Sequence, residues 1–255
     1  AKNLSSSGKI REINIIGQDT TLFGNDIYGR PSLPELLKRL ASLRSSVKWI
    51  RLLYTHPAHY SGKLINILRD ERKICRYLDL PVQHISDPIL KKMNRHTTKK
   101  EIMGLIEKLK NYIPGLTLRT SVIIGFPGET DKEFNKLLAF LEDTRFEKLG
   151  AFIYSAEEGS KAYKFERHVP DSIKNQRFDE VMKLQQKISA DINKSYMGKT
   201  VNVLIDEPVE GEENKFVGRT EGDAPEVDGC VYVSGQGVRV GEFCKVKITD
   251  TLEYD

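Results

Sequence analysis

The sequence predicts an α/β fold in which a partial parallel (β/α) barrel is followed by a small all-β barrel. Over the first 170 residues, five short runs rich in Ile, Leu and Val alternate with amphipathic helical segments. This alternation is typical of a parallel sheet with helices packed outside it. After residue 196, short β runs are separated by turns rich in Gly, Pro and Asp, as in small barrels. We therefore expect three parts, which are the (β/α) barrel at 1–170, a connecting helix at 171–196 and the β-barrel at 197–255.

Each element has a local signature. The capping-box pattern, a Ser or Thr followed three residues later by Glu, predicts helices that begin after Ser32, Thr98 and Thr130. A weaker helix is predicted around Leu64, and the connecting helix is expected to close at Gly198. The predicted strands are 11–18, 47–55, 77–82, 116–125, 148–155, 201–205, 215–219, 230–233 and 242–249.

The third and fourth predicted strands alternate polar and apolar residues, which favours a barrel. Asp79, Gln83, Arg119 and Ser121 lie on one alternate set, whereas the other set is aliphatic. A strand buried on both faces would normally be apolar throughout, so the polar set is expected to face a lumen that holds a polar ligand. A doubly wound sheet with one partly solvated face is the alternative.

Composition excludes several classes of protein. Hydrophobic residues make up 39% of the 255, which is enough for a folded core, and no run of 18 apolar residues is present to span a membrane. The cysteines Cys75, Cys230 and Cys244 are not spaced as a disulfide framework or a zinc motif, so we expect a cytoplasmic protein. The sequence contains no Walker A, dinucleotide-binding or HExxH motif.

The two parts of the chain carry opposite net charge. Residues 1–196 contain 34 Lys and Arg against 23 Asp and Glu, whereas residues 197–255 contain 6 against 13. Opposite signs predict two domains that meet different partners. The alternative is that each charge only keeps its own part soluble.

Three sequence blocks point to a known family. LPVQHISDPILKKMNR, TLRTSVIIGFPGETDKEF and FIYSAEEGSKA occur in this order, and the predicted β-barrel follows them. From about Ile13 to Asp255 the chain resembles the radical S-adenosylmethionine (SAM) methylthiotransferases. The resemblance implies a partial barrel of the radical-SAM type with SAM in its lumen, followed by a TRAM domain. It also implies that a SAM-derived radical abstracts hydrogen from the substrate carbon, where a methylthio group is installed.

Two branches of that family differ in substrate. Gln83 is followed here by His-Ile-Ser, and the predicted β-barrel carries DAPEVDG at 223–229. Both stretches resemble the RimO branch, which methylthiolates the β-carbon of an aspartate in ribosomal small-subunit protein twelve. An acidic terminal domain suits a basic ribosomal protein and repels RNA, so tRNA is not expected as a partner. The tRNA-adenosine branch and a non-catalytic RNA- or protein-binding module are the alternatives.

The resemblance also implies the residues of the site, although no catalytic residue is assigned. The predicted cofactor contacts are Gln18, Asp19, Thr20, Gln83, Ser86, Arg119, Ser121, Ile123, Gly125, Phe126, Tyr154 and Ser155. The acidic residues expected to dock the basic ribosomal protein are Glu221, Asp223, Glu226 and Asp228.

One family element is missing from this sequence. The radical chemistry needs a CxxxCxxC loop that holds a [4Fe–4S] cluster, and none of the three cysteines stands in such a run. The resemblance implies two [4Fe–4S] clusters in the full-length protein, held by cysteines upstream of this segment, and an external electron donor. We therefore expect a fragment that holds no metal and is inactive alone.

Overall fold

The first sheet of the molecule is parallel throughout. A computed structural model describes residues 8–255, and its first sheet has five strands in the order β1-β2-β3-β4-β5. Each strand runs parallel to its neighbours, which is the arrangement of an open (β/α) barrel, so the predicted class of fold is confirmed. The strands are β1 (Glu12–Ile15), β2 (Trp49–Leu52), β3 (Ile74–Asp79), β4 (Thr117–Ile124) and β5 (Lys148–Ile153).

Helices connect these strands. Three of them begin after Ser32, Thr98 and Thr130, as predicted, but the capping box forms at only one of the three. The helices are α1 (Asn25–Tyr28), α2 (Leu33–Ala41), α3 (Gly62–Asp70), α4 (Asp87–Lys92), α5 (Lys99–Tyr112), α6 (Asp131–Thr144) and α7 (Asp171–Lys194). The predicted capping box between Thr98 and Glu101 begins α5. The boxes predicted at Ser32 and Thr130 are wrong because both hydroxyls are used elsewhere. Ser32 donates to a backbone carbonyl two residues earlier, and Thr130 donates to the Glu133 carboxylate.

The apolar alternate set of the central strands forms the main core with the helices. Leu78 on β3 and Leu118, Val122 and Ile124 on β4 are fully buried. They belong to one cluster with helical residues such as Leu137 of α6. The aliphatic set therefore faces the helix layer, as the alternation predicts, and the polar set faces the opposite, concave side of the sheet.

The concave side is partly filled by the last part of the chain. Trp49 of β2 and Tyr77 of β3 share a buried cluster with Leu204 and Ala224. The Trp49 ring stands edge-on to Phe243, with 4.8 Å between the ring centroids. A (β/α) barrel normally fills its interior with its own side chains. Here a second sheet supplies part of that filling.

The second sheet is the predicted all-β unit. Its four antiparallel strands form a curled sheet in the order β8-β7-β6-β9. They are β6 (Thr200–Pro208), β7 (Lys215–Arg219), β8 (Val231–Ser234) and β9 (Phe243–Lys247). Val203, Ile205 and Val233 form its own small core. We call residues 197–255 the β domain.

The connecting helix α7 ends earlier than predicted. Its last residue is Lys194, and Ser195 caps it. Gly198, the predicted C-cap, has a φ of 75° and lies in the following turn, where its N–H donates to the Ile248 carbonyl. The glycine therefore starts the β domain instead of closing the helix. Within residues 8–255, neither α7 nor any other helix is long and apolar enough to cross a bilayer.

Candidate functional site

The carboxyl ends of β3 and β4 bring several predicted cofactor contacts together. The N–H of Gln83 donates to the Ser121 carbonyl, and the N–H of Ile123 donates to the Gln83 carbonyl, both at 2.8 Å. The chain therefore stays paired with β4 beyond the end of β3. Gln83 has a φ of 64°, a left-handed conformation that is uncommon for residues other than glycine and is often found at functional sites.

A buried ion cluster holds the loops that follow these two strands. We call His84, Glu129 and Arg177 the loop clamp. Arg177 donates to the Glu129 carboxylate at 2.7 Å, and Nε2 of His84 lies 3.3 Å from the same carboxylate, without the alignment of a hydrogen bond. Nδ1 of His84 accepts the N–H groups of Ile85 and Ser86, both at 2.9 Å. The loop after β3 is thus tied to the loop after β4 and to α7.

The loop clamp also fixes the backbone of the GFPGET block. Both carboxylate oxygens of Glu129 accept the N–H of Gly125 at 3.1 Å. Gly125 has a φ of 75°, and a Cβ there would collide with the Lys174 side chain, so the position requires glycine. Sequence analysis did not identify Glu129 or Arg177, because Arg177 lies 48 residues further along the chain. The one available signal was the Glu within the GFPGET block.

Two predicted cofactor contacts carry polar atoms without a partner. The Ser86 and Tyr154 hydroxyls are buried, and neither has a hydrogen-bond partner within residues 8–255. A buried polar atom left unpaired costs free energy unless a ligand or water bonds it. The Tyr154 ring also packs edge-on against Phe126, a third predicted contact, at 5.1 Å. These residues fit a bound polar ligand such as SAM.

The remaining predicted contacts are exposed or are already engaged within the chain. Gln18 and Ser155 are exposed. The Thr20 hydroxyl donates to the backbone carbonyl that follows β2 at 2.8 Å, and the Asp19 carboxylate contacts His59. We therefore do not group these four residues with the β3–β4 edge.

Arg119 lies on the concave face, as predicted, but an ion network engages it. Its guanidinium lies 3.0 Å from Asp79 and 3.4 Å from Asp228 of the β domain. Asp228 also accepts the Tyr77 hydroxyl at 2.7 Å. Arg119 is thus an anchor between the sheet and the β domain, a role that sequence analysis did not predict, and its contact with a cofactor stays a prediction.

The predicted substrate-docking acids form a loop that faces the sheet. Asp223 pairs with Lys148 at 2.7 Å, and Glu221 accepts the backbone N–H of Arg76 at 2.5 Å. With Asp228, three of the four acids are bound within the chain, and Glu226 alone among the four is exposed. The prediction of a free acidic surface at 221–228 therefore needs correction, because the barrel pairs two of the four acids with Lys148 and Arg119 and binds a third through a backbone N–H.

A cavity of about 330 Å³ lies between the β domain and the amino-terminal edge of the first sheet. Its lining includes Glu147, Tyr196, Tyr232 and Tyr254. Burial raises the pKa of Glu147 above its usual range. The twelve predicted cofactor contacts all lie in the described part of the chain, and none of them lines this cavity. It is separate from the candidate cofactor site.

The cysteines do not fit an iron–sulfur cluster. Cys75 is buried on the concave face, and burial raises its pKa to about 12, which disfavours the thiolate that binds iron. Cys230 and Cys244 belong to the β domain. Within residues 8–255 the cysteines do not come together as a metal-binding group.

Anaerobic incubation of the 255-residue chain with iron and sulfide is expected to yield no [4Fe–4S] cluster, because the thiols are dispersed. Visible absorbance and acid-labile sulfide measure the outcome, with a protein of known cluster content as the positive control. A stoichiometric cluster would contradict our interpretation of all three cysteines.

Comparison with known proteins identifies the family. Residues 1–141 match the radical SAM superfamily, and residues 197–255 match the TRAM domain. The chain belongs to the radical SAM superfamily. Membership implies chemistry that uses SAM and an iron–sulfur cluster.

Curated relatives match this radical SAM chain along its whole length. The "Ribosomal protein uS12 methylthiotransferase RimO" of Clostridioides difficile (strain 630) is 46% identical over 256 residues, which cover 100% of this chain and 57% of that protein. The protein of the same name from Geotalea uraniireducens (strain Rf4) is 46% identical over 255 residues, 100% of this chain and 56% of that protein. The resemblance to the methylthiotransferases is thus confirmed. The chain spans about half the length of the curated relatives it matches.

A solved structure shows the same fold. Coproporphyrinogen III oxidase (HemN) from Escherichia coli, described as a radical SAM enzyme, superposes with a TM-score of 0.52 at 13% sequence identity. The superposition covers 73% of this chain and 48% of that chain. At this identity the similarity concerns the fold alone.

Proposed function

We propose that this chain is the SAM-binding and TRAM portion of a methylthiotransferase that modifies the β-carbon of an aspartate in ribosomal protein uS12. The observation that carries the proposal is the 46% identity along the whole chain to proteins of that name. The polar edge formed by β3 and β4 gives support, since it places polar groups on the concave face of the sheet. The domain division at 170 and 196, an external electron donor and a cytoplasmic location belong to the same proposal.

We assign SAM binding to the β3–β4 edge. SAM supplies, when bound beside a reduced iron–sulfur cluster, the radical that starts such reactions. The part of this chain is to bind and orient it, with the Gln83 and Ser121 side chains and the unpaired Ser86 and Tyr154 hydroxyls as polar contacts. The loop clamp keeps both loops in place. The proposed contacts are Gln83, Ser86, Ser121, Ile123, Gly125, Phe126 and Tyr154.

We propose that the basic substrate protein meets the acidic turn between β6 and β7, together with Glu226. The turn carries the exposed acids Glu210 and Glu213, and the exposed Glu207 lies beside it at the end of β6. Because three of the four acids at 221–228 are bound by the barrel, this turn is the better candidate for electrostatic complementarity, which mainly governs encounter rate and specificity.

A modification assay on the full-length protein, with its clusters reconstituted, tests the proposed activity. Ribosomal protein uS12 and tRNA are offered separately with SAM, and mass spectrometry follows the products. A methylthio group on an aspartate of uS12 is the expected result. Modified tRNA would place the protein in the other branch, and failure to modify either substrate would contradict the enzymatic proposal.

The cofactor edge is tested in the same protein by Gln83→Ala. We expect the KM for SAM to rise at least about tenfold, because a hydrogen bond to a charged group is worth roughly 1.5–3 kcal/mol. Gln176→Ala is the matched control, since Gln176 is an exposed glutamine on α7 that bonds Glu180. An unchanged KM in the Gln83 variant would show that SAM does not contact this strand edge.

A further inference from the structure

One carboxylate and two imidazoles meet where β1 and β2 end. Asp19 follows β1, and His56 and His59 belong to the short 3-10 turn that follows β2. One possible metal-binding atom from each side chain lies within 4.8 Å of the others. Among residues 8–255 this is the one group of three or more His, Cys, Asp or Glu side chains close enough to hold a metal ion.

Local structure prepares these groups for a ligand. Oδ1 of Asp19 accepts the N–H of Thr21 at 3.0 Å and also its hydroxyl, which caps the turn that follows. The other carboxylate oxygen, Oδ2, faces His59, whose Nδ1 lies 2.7 Å away. The His56 ring stacks on the His59 ring with 4.9 Å between centroids. All three side chains belong to partly exposed residues, so an ion can reach them from solvent.

We infer that Asp19, His56 and His59 bind a divalent transition-metal ion, with Zn²⁺ as the best match. Imidazole nitrogens and a carboxylate oxygen are ligands that Zn²⁺ accepts, and three protein ligands leave a fourth position open. Zinc bonds of about 2.0–2.2 Å place tetrahedral ligand atoms roughly 3.3 Å apart. Closing a separation of at most 4.8 Å to that value requires side-chain rotation in partly exposed groups.

Two features limit the affinity of this site. Arg95 acts electrostatically on His56 and on Asp19, and its positive charge repels a dication. Nδ1 of His56 accepts the Ala58 N–H at 3.2 Å, so binding at Nε2 moves the ring proton to Nδ1 and loses that long hydrogen bond. We therefore expect micromolar binding, weaker than that of structural zinc sites.

A metal ion at Asp19, His56 and His59 differs from the expectation that this segment holds no metal. That expectation came from the spacing of the cysteines. Asp19 and His59 are 40 residues apart in sequence, and they meet because the parallel pairing of β1 and β2 brings the carboxyl ends of both strands to one edge. No local motif reports such a pair.

A Co²⁺ titration of the 255-residue chain, followed by visible absorption, tests the site. One equivalent is expected to bind with the absorption of a four-coordinate ion, and Zn²⁺ is expected to displace it. His56→Gln and His59→Gln are each expected to weaken binding at least about tenfold, since even changes beyond the direct ligands cost 10–100-fold in metal affinity. Asp19→Asn is expected to weaken binding as well. The amide oxygen of Asn can still cap the turn. Weaker binding by this variant would therefore reflect loss of the carboxylate that binds the metal and not loss of the local fold.

His96→Gln is the control for this titration. His96 is an exposed histidine close enough to act on His56 electrostatically, but it is outside the three-residue cluster. We expect this variant to bind Co²⁺ as the unmodified chain does, with circular dichroism confirming the fold of every variant. No saturable binding by the unmodified chain would overturn the site. Binding that survives all three cluster substitutions, or an equal loss in His96→Gln, would overturn it too.

Discussion

Replacing Glu129 with alanine is expected to destabilise the barrel by about 3–5 kcal/mol, the usual cost of removing one partner of a buried ion pair. The Glu129 side chain is fully buried and that of Arg177 is 6% exposed. The variant leaves the Arg177 charge in the interior without this partner and removes the acceptor of the Gly125 N–H. In a chain of this length we expect the midpoint of thermal unfolding to fall by roughly 6–20 °C, measured by calorimetry.

Asp131→Ala is the matched control. Asp131 bonds the same guanidinium at 2.7 Å, but its side chain is 89% exposed. An ion pair with a solvent-exposed partner is expected to contribute about 1 kcal/mol or less, so a small shift is expected. Equal shifts in the two variants would show that burial of Glu129 does not decide the stability of the loop clamp.

The architecture was predictable because it follows from local periodicity. Alternation of β runs with amphipathic helices indicates a parallel sheet, and all five strands overlap the predicted runs. The third strand, Ile74–Asp79, begins and ends three residues earlier than the predicted 77–82. The caps were less predictable, since a capping box forms only where the hydroxyl oxygen accepts the N–H of the residue three positions later. Thr98 bonds the backbone of its own helix, whereas Ser32, with the same sequence pattern, bonds a carbonyl before it.

The ion pairs of the loop clamp and of the contact between the two domains were harder to predict because their partners are distant in sequence. Glu12 on β1 pairs with Arg51 on β2 at 2.7 Å and with Arg219 of the β domain at 2.8 Å. Arg219 lies 207 residues from Glu12 in the chain. Counting charges showed a basic barrel and an acidic β domain, but counting does not show that the two surfaces face each other. Some of the opposite charges that predicted external partners therefore pair with each other between the two domains.

Replacing Asp228 with alanine is expected to weaken the contact between the β domain and the barrel. The Asp228 side chain is 3% exposed and lies 3.4 Å from the Arg119 guanidinium. It also accepts the Tyr77 hydroxyl at 2.7 Å and the Ala224 N–H at 2.9 Å. Removing it leaves buried groups without their partner, at a cost of about 3–5 kcal/mol. Calorimetry is expected to show a midpoint lower by roughly 6–20 °C, and limited proteolysis is expected to show faster cleavage within 220–230.

Glu226→Ala is the control that shows whether the loop at 221–228 contacts the barrel or is free to bind a substrate. Glu226 lies two residues from Asp228 but is exposed, so its removal is expected to change stability by no more than about 0.5 kcal/mol. If both variants unfold like the unmodified chain, the loop at 221–228 is not held by the barrel. Its acids would then be free to meet a basic protein, as the sequence alone predicted. If only Asp228→Ala is destabilised, the loop anchors the two domains to each other. The acidic turn between β6 and β7 is then the better candidate for the substrate-docking surface.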